Sequence, residues 1–502
     1  MSVTSMPLPR SARALRLEFK RNPVPYVLPL LAAVFYFNTL RTAYGFPPIW
    51  TLRASVIGDH LLFEFSAFAG GLAAWVGSRE GRRKTVDLVA TTPLAAWARQ
   101  SIALAATLCW MLLAFLAGVA AVYIPTAVQA TWGGPPLWPV FVGAAGVTVV
   151  TVIGFTCGVL FPERFTAPLV AIGVLVLYQT GFRQALGVTA SSGTYALLSP
   201  GNAPPVVDTG VYYHVAPDLS IVQVMFMGGI AVALFGVLGL ATTLREPASA
   251  RRLASARAAL ARSGGWLPRA VAVILVACGV AASWTAFALA GTAKPDPVGG
   301  WQIPALHSAA SDQPVPVTPD CTSSSGFRVC VHPAFSFYLH DLAAAFGPVA
   351  AEIASLPGAP ADAREVASVS GGQDVQSGIW MNPPVFEFTA EHVGSMFGQF
   401  LGNPDPAAWA QGFQQGLLDA FLTGRPPHAG PVPILLGPAQ QAVEDGLLTA
   451  VRSQPLSPSV TSAGVSAAAR RFAALPASAR HTWLATHLAA LRAGTITLAQ
   501  IP

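Results

Sequence analysis

Charged residues are scarce in this chain. Lys, Arg, Asp and Glu together make up 10% of its 502 residues, whereas soluble domains carry about 25%. Lysine occurs at only three positions, Lys20, Lys84 and Lys294. Hydrophobic residues make up 53% of the chain, and the mean hydropathy is +0.53. This composition excludes an ordinary soluble domain and indicates an integral membrane protein.

Complete motifs for three kinds of catalytic or nucleotide site are also missing. The string GSREGRRKT, from Gly77 to Thr85, has Arg83 where a phosphate-binding loop has its second glycine, which close backbone approach requires. The zinc-protease pattern HExxH is absent, since Glu391-His392 has no second histidine. No GxSxG serine motif occurs. We therefore expect no enzymatic activity, no cofactor and no metal.

Two weaker candidates for chemistry stay open. His332 and His340 are eight positions apart and Asp341 follows, but ordinary core or surface histidines explain this spacing better than a metal site. Glu64 is the one acid well inside an apolar segment, and intramembrane acids are functional candidates. If that span begins nearer Leu61, Glu64 instead reaches the outer headgroups, and we favour this interpretation.

Seven apolar segments approach the ~20 residues that a helix needs to cross a bilayer. They lie at 24–42, 58–77, 101–123, 138–161, 166–182, 220–243 and 268–291. No small-residue cleavage site follows the first segment, so we expect it to be retained as an anchor.

Cations indicate the orientation of these spans. With the N-terminus inside, the cytoplasmic pieces 1–23, 78–100, 162–165 and 244–267, with the flanking Arg269, carry 17 Lys and Arg, whereas the outer loops carry three. Cationic loops stay on the cytoplasmic side. We therefore predict a multi-pass plasma-membrane protein with a cytoplasmic N-terminus and residues 292–502 outside. The same distribution argues against nucleic acid as a partner, because the cations follow topology rather than one soluble face.

The predicted fold is mostly α, a polytopic helical membrane bundle followed by a mainly helical α+β extracytoplasmic domain. A basic helix in 1–23 precedes a six-span unit at 24–243, a basic cytoplasmic loop at 244–267 and a seventh span at 268–291. A Pro-rich spacer at 292–320 then leads to the domain at 321–502. We predict a strand from Phe327 to His332 and helices at 338–356, 389–402, 405–423, 437–452 and 477–493.

Small and aromatic residues suggest further contacts. Cys321 and Cys330 are the only cysteines of the outer domain, and in an oxidising compartment we expect them to form a disulfide.

Gly70, Gly71 and Ala74 permit close helix packing, either within the bundle or across a dimer. Aromatic residues of the outer loops are interpreted as interface anchors: Trp132, Trp138, Tyr195, Tyr212 and Tyr213.

The segment between the second and third spans, 78–100, combines five cations with a helix-like apolar pattern. Its Glu80-Gly81, Thr85-Val86-Asp87-Leu88 and Pro93 resemble the coupling helix in permease subunits of type 2 ABC exporters. The resemblance covers about residues 10–245 and implies that Glu80, Gly81, Arg82, Arg83, Thr85, Asp87 and Leu88 contact a separate ATPase. It also implies a homodimer or a heterodimer with another permease. The seventh span and the outer domain depart from the family pattern.

Two other functions compete with this one. In the first, the spans are a scaffold and residues 321–502 form a membrane-anchored binding or sensor domain. In the second, that domain is a membrane-bound hydrolase. The spans contain no charge array that would identify a transported substrate.

Overall fold

The computed structural model describes residues 10–84, 95–186, 194–198, 210–245, 266–296, 301–370, 373–389, 406–429, 436–452 and 462–502. Over these residues the chain is mostly helical with a small mixed sheet, which confirms the prediction of a mostly α-helical chain.

The N-terminal half is built from helices. They are α1 (Arg10–Arg21), α2 (Val24–Phe35), α3 (Arg41–Gly45), α4 (Trp50–Val56), α5 (Phe63–Gly77), α6 (Arg79–Arg82), α7 (Ala96–Gln129), α8 (Trp138–Leu160), α9 (Thr166–Leu186), α10 (Asp218–Arg245) and α11 (Leu267–Ala290). π-Helical turns join α2 to α3 and α4 to α5. Proline stands in the first turn of α8 and α11, where its missing N–H costs no hydrogen bond.

Within the described ranges, five helices are long and apolar enough to cross a membrane: Val24–Gly45, Ala96–Gln129, Trp138–Leu160, Asp218–Leu244 and Leu267–Ala290. They coincide with five of the seven predicted spans. The other two predicted spans overlap the shorter apolar helices Phe65–Gly77 and Thr166–Tyr178. The count of seven therefore stays a prediction. The basic loop at 244–267 lies almost entirely outside the described residues.

Glycines bring the backbones of α5 and α8 together. A Cβ on Gly154 would collide with the carbonyl of Gly70, and one on Gly158 would collide with the carbonyl of Ala74. A Cβ on Gly71 would lie 3.1 Å from the Cβ of Ala171 in α9. The small residues of α5 are thus used for packing inside the bundle. Of the two alternatives in the sequence analysis, packing within the bundle and packing across a dimer, the structure shows the first.

A second pair of helices, α10 and α11, packs in the same way. Gly229 of α10 faces Gly279 and Ser283 of α11, and a Cβ on Gly229 would lie 2.7 Å from the carbonyl oxygen of Gly279. The Ser283 hydroxyl donates to the carbonyl of Phe226 at 3.1 Å. The seventh predicted span is therefore packed against the sixth rather than separate from it.

The C-terminal part contains a five-stranded sheet in the order β3 (Asp320–Ser324), β4 (Phe327–Val331), β5 (Asp362–Val366), β9 (Pro384–Thr389), β8 (Gly378–Met381). β3–β4 and β8–β9 are antiparallel, whereas β4–β5 and β5–β9 are parallel. Short strands β6 (Val369–Ser370), β7 (Gln373–Gln376) and β10 (His428–Ala429) form a second sheet. The sequence predicts only β4 among these strands.

The helices of this part are α12 (Leu339–Ile353), α13 (Pro406–Thr423), α14 (Pro438–Arg452), α15 (Ala463–Ala473) and α16 (Ala477–Arg492). α12 supplies the crossover that the parallel strands β4 and β5 need. Its Phe346 packs on Phe386, Phe388 and Phe413. Four of the five predicted helices are confirmed, while the fifth, at 389–402, falls almost wholly outside the described residues and α15 is not anticipated.

The Pro-rich segment is not a free extended spacer. Its first strand β1 (Lys294–Pro295) pairs with β2 (Trp301–Gln302). Ile303 is fully buried against Leu197, Val222 and Ala286 of the bundle. Further along, the Val315 amide donates to the carbonyl of Tyr212 at 2.7 Å. The spacer therefore packs against the helical half of the molecule, because its apolar side chains find partners there.

The predicted disulfide between Cys321 and Cys330 is present. The two residues are directly opposite each other in the antiparallel pair β3–β4. Ser325 and Gly326 form the turn with φ angles of 51° and 80°. Positive φ at both positions is typical of the tight hairpin turn that suits strand twist.

We expect Gly229→Ala to lower the thermal midpoint of the detergent-solubilised protein, because overpacking at a tight contact costs about 1–3 kcal/mol. Gly228→Ala is the matched control, since a Cβ at the neighbouring Gly228 meets nothing within 4 Å. Equal midpoints for the two variants would contradict close packing of α10 on α11.

Cys321→Ser should lower the thermal midpoint as well, because a bridge that closes a loop of about ten residues stabilises by roughly 2–3 kcal/mol. Cys109→Ser, at an exposed unpaired cysteine, should leave the midpoint unchanged. A membrane-impermeant thiol reagent applied to intact cells should label Cys321 and Cys330 only after reduction. Labelling of both without a reductant would disprove the disulfide.

Candidate functional site

We call the end of the bundle formed by residues 78–84, 95–100 and 162–164 the basic end. Here the short helix α6 follows α5 directly, and Glu80 is its central polar contact. The Glu80 carboxylate accepts a hydrogen bond from Gln100 Nε2 at 2.9 Å and lies 3.7 Å from a guanidinium nitrogen of Arg99. Glu80 thus ties α6 to the first turns of α7.

A second contact at the basic end joins α6 to the N-terminal helix α1. Arg79 forms an ion pair with Glu18 at 3.0 Å. Phe19 of α1 stacks on Trp110 of α7 with ring centroids 4.4 Å apart, and Trp110 Nε1 donates to the carbonyl of Phe19 at 2.9 Å. Residues Arg10–Arg21 of the basic N-terminal segment therefore form a helix packed along α7.

The next two residues of α6 have local structural roles. A Cβ on Gly81 would collide with the Pro162 ring, so only glycine allows α6 to approach the turn after α8. The Arg82 guanidinium lies 3.5 Å above the Trp75 ring, a cation–π contact, and donates to Ser78 Oγ at 2.9 Å. In contrast, Arg83 is exposed.

Several predicted site residues cannot be placed. Thr85, Asp87 and Leu88 lie outside the described residues. Glu64 lies in the first turn of α5 (Phe63–Gly77), but its side chain is outside the part that the structure describes. The role of Glu64 therefore stays a prediction.

The opposite end of the bundle, which faces the sheet, holds a cavity of about 420 Å³. We call it the aromatic cavity. Its walls include Trp50, Trp132, Trp138, Tyr213 and His214. Three of these are aromatic residues that the sequence analysis interprets as separate interface anchors. Their convergence on one cavity depends on the folding of distant loops, and no sequence pattern signals it.

We call the C-terminal part that contains the five-stranded sheet and helices α12–α16 the sheet domain. Beside the aromatic cavity, His332 joins the bundle to this domain. Its ring contacts Trp132 and Tyr212, with centroids 5.2 and 4.9 Å away. Burial lowers the pKa of His332 to about 4, so the ring is neutral at physiological pH. Thr131 Oγ1 donates to the Pro333 carbonyl at 2.6 Å next to it. We call these contacts of Thr131, Trp132 and Tyr212 with His332 and Pro333 the joint.

Glu365 anchors the joint from the domain side. Its two carboxylate oxygens accept hydrogen bonds from the His332 amide and from the Tyr338 hydroxyl, each at 2.8 Å. Of the residues considered as metal ligands from sequence, His332 is therefore committed to the joint, whereas His340 and Asp341 are exposed on α12.

A different set of residues has the geometry of a metal site. Ligand atoms of Asp296, His307 and Asp312 lie within 4.8 Å of one another. Among the described residues, these three form the group of His, Cys, Asp and Glu side chains that could hold a metal ion. All three belong to the Pro-rich segment. Sequence reasoning does not find them, because their separations of 11 and 5 positions follow no metal-binding motif.

The sheet domain also buries a pair of acids. Asp419 of α13 and Glu444 of α14 share a hydrogen bond. Burial raises the pKa of Asp419 to about 6, and burial together with the carboxylates of Asp419 and Asp445 raises that of Glu444 to about 9. The pair therefore retains a proton at neutral pH and acts as a packed hydrogen-bonded unit.

Comparisons with known proteins give no relative. No protein-family model matches the chain, and neither a curated protein nor a solved structure is detectably similar to it.

The raised pKa values of Asp419 and Glu444 imply that the sheet domain loses stability as pH rises. The folded state holds a proton that the unfolded chain releases above a carboxyl pKa of about 4. We therefore expect the thermal midpoint of the wild-type protein to fall between pH 5 and pH 8. Glu444→Gln, which keeps an uncharged hydrogen-bonding group, should flatten this fall. Asp341→Asn, on the surface of α12, serves as control, and an equally steep fall in the Glu444→Gln variant would contradict the assignment.

Proposed function

We propose that this chain is the membrane-spanning permease subunit of an ATP-driven exporter of the type 2 ABC class, with ATP hydrolysis supplied by a separate subunit. The observation that carries the proposal is the Glu80 contact with Arg99 and Gln100. It attaches the segment that resembles a coupling helix to α7. A push on this segment would therefore reach a membrane-spanning helix directly.

The other contacts of the basic end support the same role. Gly81 lies against Pro162 after α8, and Arg79 pairs with Glu18 of α1. These contacts would distribute a movement of α6 over two further parts of the bundle, the turn after α8 and helix α1. The exposed Arg83 offers a charge to an acidic partner surface.

Helix α7 would carry the movement across the membrane. It comprises 34 residues, which corresponds to about 50 Å at a rise of 1.5 Å per residue and exceeds the ~30 Å hydrocarbon core. At its far end, Gln129 accepts a hydrogen bond from the buried Arg53 at 2.7 Å. Thr131 and Trp132 of the joint follow immediately.

In this mechanism, binding and hydrolysis of ATP in the partner would rock the spans and alternate access between the two sides. The path would run between two such bundles, in a homodimer or in a heterodimer with a second permease. The stripe at Gly70 and Ala74 is occupied within the bundle, so the dimer contact would lie on other helices. The cation distribution supports a plasma-membrane location with the N-terminus in the cytoplasm and the sheet domain outside.

The aromatic cavity favours a second function, a membrane-anchored binding or sensor protein. A mostly apolar cavity with a few polar groups is the usual form of a small-molecule site. The two functions are separated by what co-purifies with the chain. A P-loop ATPase subunit supports the exporter, whereas a retained small molecule that is lost in Trp138→Ala supports the binding protein.

We expect Arg83→Glu to reduce partner-stimulated ATP turnover at least tenfold, equivalent to roughly 1.4 kcal/mol, because the exposed charge would repel an acidic partner. Membrane insertion and thermal stability should be unchanged. The measurement is ATP hydrolysis by the complex reconstituted with a P-loop ATPase subunit that co-purifies with this chain. Arg425→Glu, at an exposed arginine of the sheet domain, is the charge-matched control.

Arg82→Glu gives a useful contrast, because it removes the contact with Trp75 and should also lower the thermal midpoint. Undiminished turnover in Arg83→Glu would refute the coupling role of this segment.

A further inference from the structure

His307 lies at the centre of a polar cluster where the Pro-rich segment meets α10. Its Nδ1 is 3.0 Å from Oδ2 of Asp218, the first residue of α10. Its Nε2 is 3.0 Å from Oδ1 of Asp312 and 3.2 Å from Oδ2. Asp296 completes the group, with a carboxylate oxygen within 4.8 Å of the ligand atoms of His307 and Asp312. Two of these carboxylates thus face opposite sides of one imidazole.

The cluster carries more negative than positive charge. The carboxylates of Asp218 and Asp312 flank one imidazole, so these three groups sum to −1 even when His307 is protonated. Asp218 is only 1% exposed, and burying a carboxylate without compensating charge is costly. In addition, Asp218 Oδ1 is buried without a hydrogen-bond partner among the described residues. A bound cation would balance this charge.

We propose that Asp296, His307 and Asp312 bind one divalent metal ion of the zinc class, with Asp218 as a positioning residue. One imidazole nitrogen and two carboxylate oxygens are ligands that Zn²⁺ accepts in sites with three protein ligands and a water. The carboxylate on Nδ1 has the arrangement that orients metal-binding histidines, in which the other ring N–H donates to a carboxylate. The Asp312 side chain is 38% exposed, which gives the ion access from solvent.

The imidazole decides between classes of metal. Ca²⁺ and Mg²⁺ prefer sites made entirely of oxygen ligands, whereas a mixed nitrogen and oxygen set suits zinc and related transition metals. A proton on His307 competes with the metal ion, because a protonated imidazole would also donate hydrogen bonds to both Asp218 and Asp312. Metal binding must therefore displace that proton.

The ion would fasten the Pro-rich segment to the bundle. The same Asp218 Oδ2 also accepts a hydrogen bond from the Ile303 amide at 3.1 Å, so the segment already meets α10 at this point. A ligand that binds only the folded state stabilises it by mass action. The inference concerns the cluster alone and does not depend on the proposed transport function.

The test is a Zn²⁺ titration of the full-length protein in detergent after treatment with a chelator and its removal. We expect one Zn²⁺ per chain by equilibrium dialysis and a higher thermal midpoint with zinc than without. Asp218→Asn should weaken binding about 10–100-fold, the usual effect of losing a carboxylate behind a metal-binding histidine. His307→Ala should weaken it more. His340→Ala, at the exposed histidine of α12, should bind zinc like the wild type.

X-ray absorption spectroscopy of the zinc-loaded wild-type protein gives a measurement that no variant's folding can confound. We expect one imidazole and oxygen neighbours, without sulfur. Sulfur in the first shell would assign the ion to a cysteine and overturn the proposal. Unaltered affinity in a folded His307→Ala variant, absence of stoichiometric binding, or equal affinity for Ca²⁺ would overturn it as well.

Discussion

The bundle depends on one line of close backbone contact between α5 and α8. In lipid, helices gain little from burying apolar side chains, so van der Waals contact between small residues has to hold them together. Gly70 and Ala74 meet Gly154 and Gly158 without intervening side chains. The line continues through Gly77, where a Cβ would strike the carbonyl of Phe155, to Gly81 against Pro162. It thereby determines where α6 and Glu80 lie.

From Glu80, polar contacts extend the arrangement to the other end of the molecule. α7 is held at the basic end by Glu80 and α1, and at the far end by Arg53 and the joint. The sheet domain shares a hydrophobic core with the bundle there, since Ile49, Leu52 and Val211 pack in the same cluster as the strands. A change at one end of α7 therefore has contacts through which it can affect the other, whichever of the two proposed functions is correct.

Sequence patterns predict the local elements well and the contacts between them poorly. The helices at 405–423, 437–452 and 477–493 are found because apolar residues recur at helical spacing, and Leu484, Leu488 and Leu491 are buried as that spacing requires. Strands β5, β8 and β9 are missed because each has only four to six residues and lies in a chain rich in Gly and Pro. Glu80, Gly81 and Arg82 are identified as a group, but their separate roles depend on Gln100, Pro162 and Trp75, which no local pattern connects to them.

The sequence by itself determined the membrane class, through the scarcity of charge, and the pairing of Cys321 with Cys330, through their short separation. Both follow from composition or from residues that are close along the chain, so the physical constraint is already present in the unfolded polypeptide. Only the tertiary structure decided the other features: that the Pro-rich segment packs on the bundle, that three distant tryptophans line one cavity, and that Asp218 meets Asp296, His307 and Asp312. These groups come together only when helices and loops far apart in the chain close on one another, and burial then creates the charge and packing demands that give them a role.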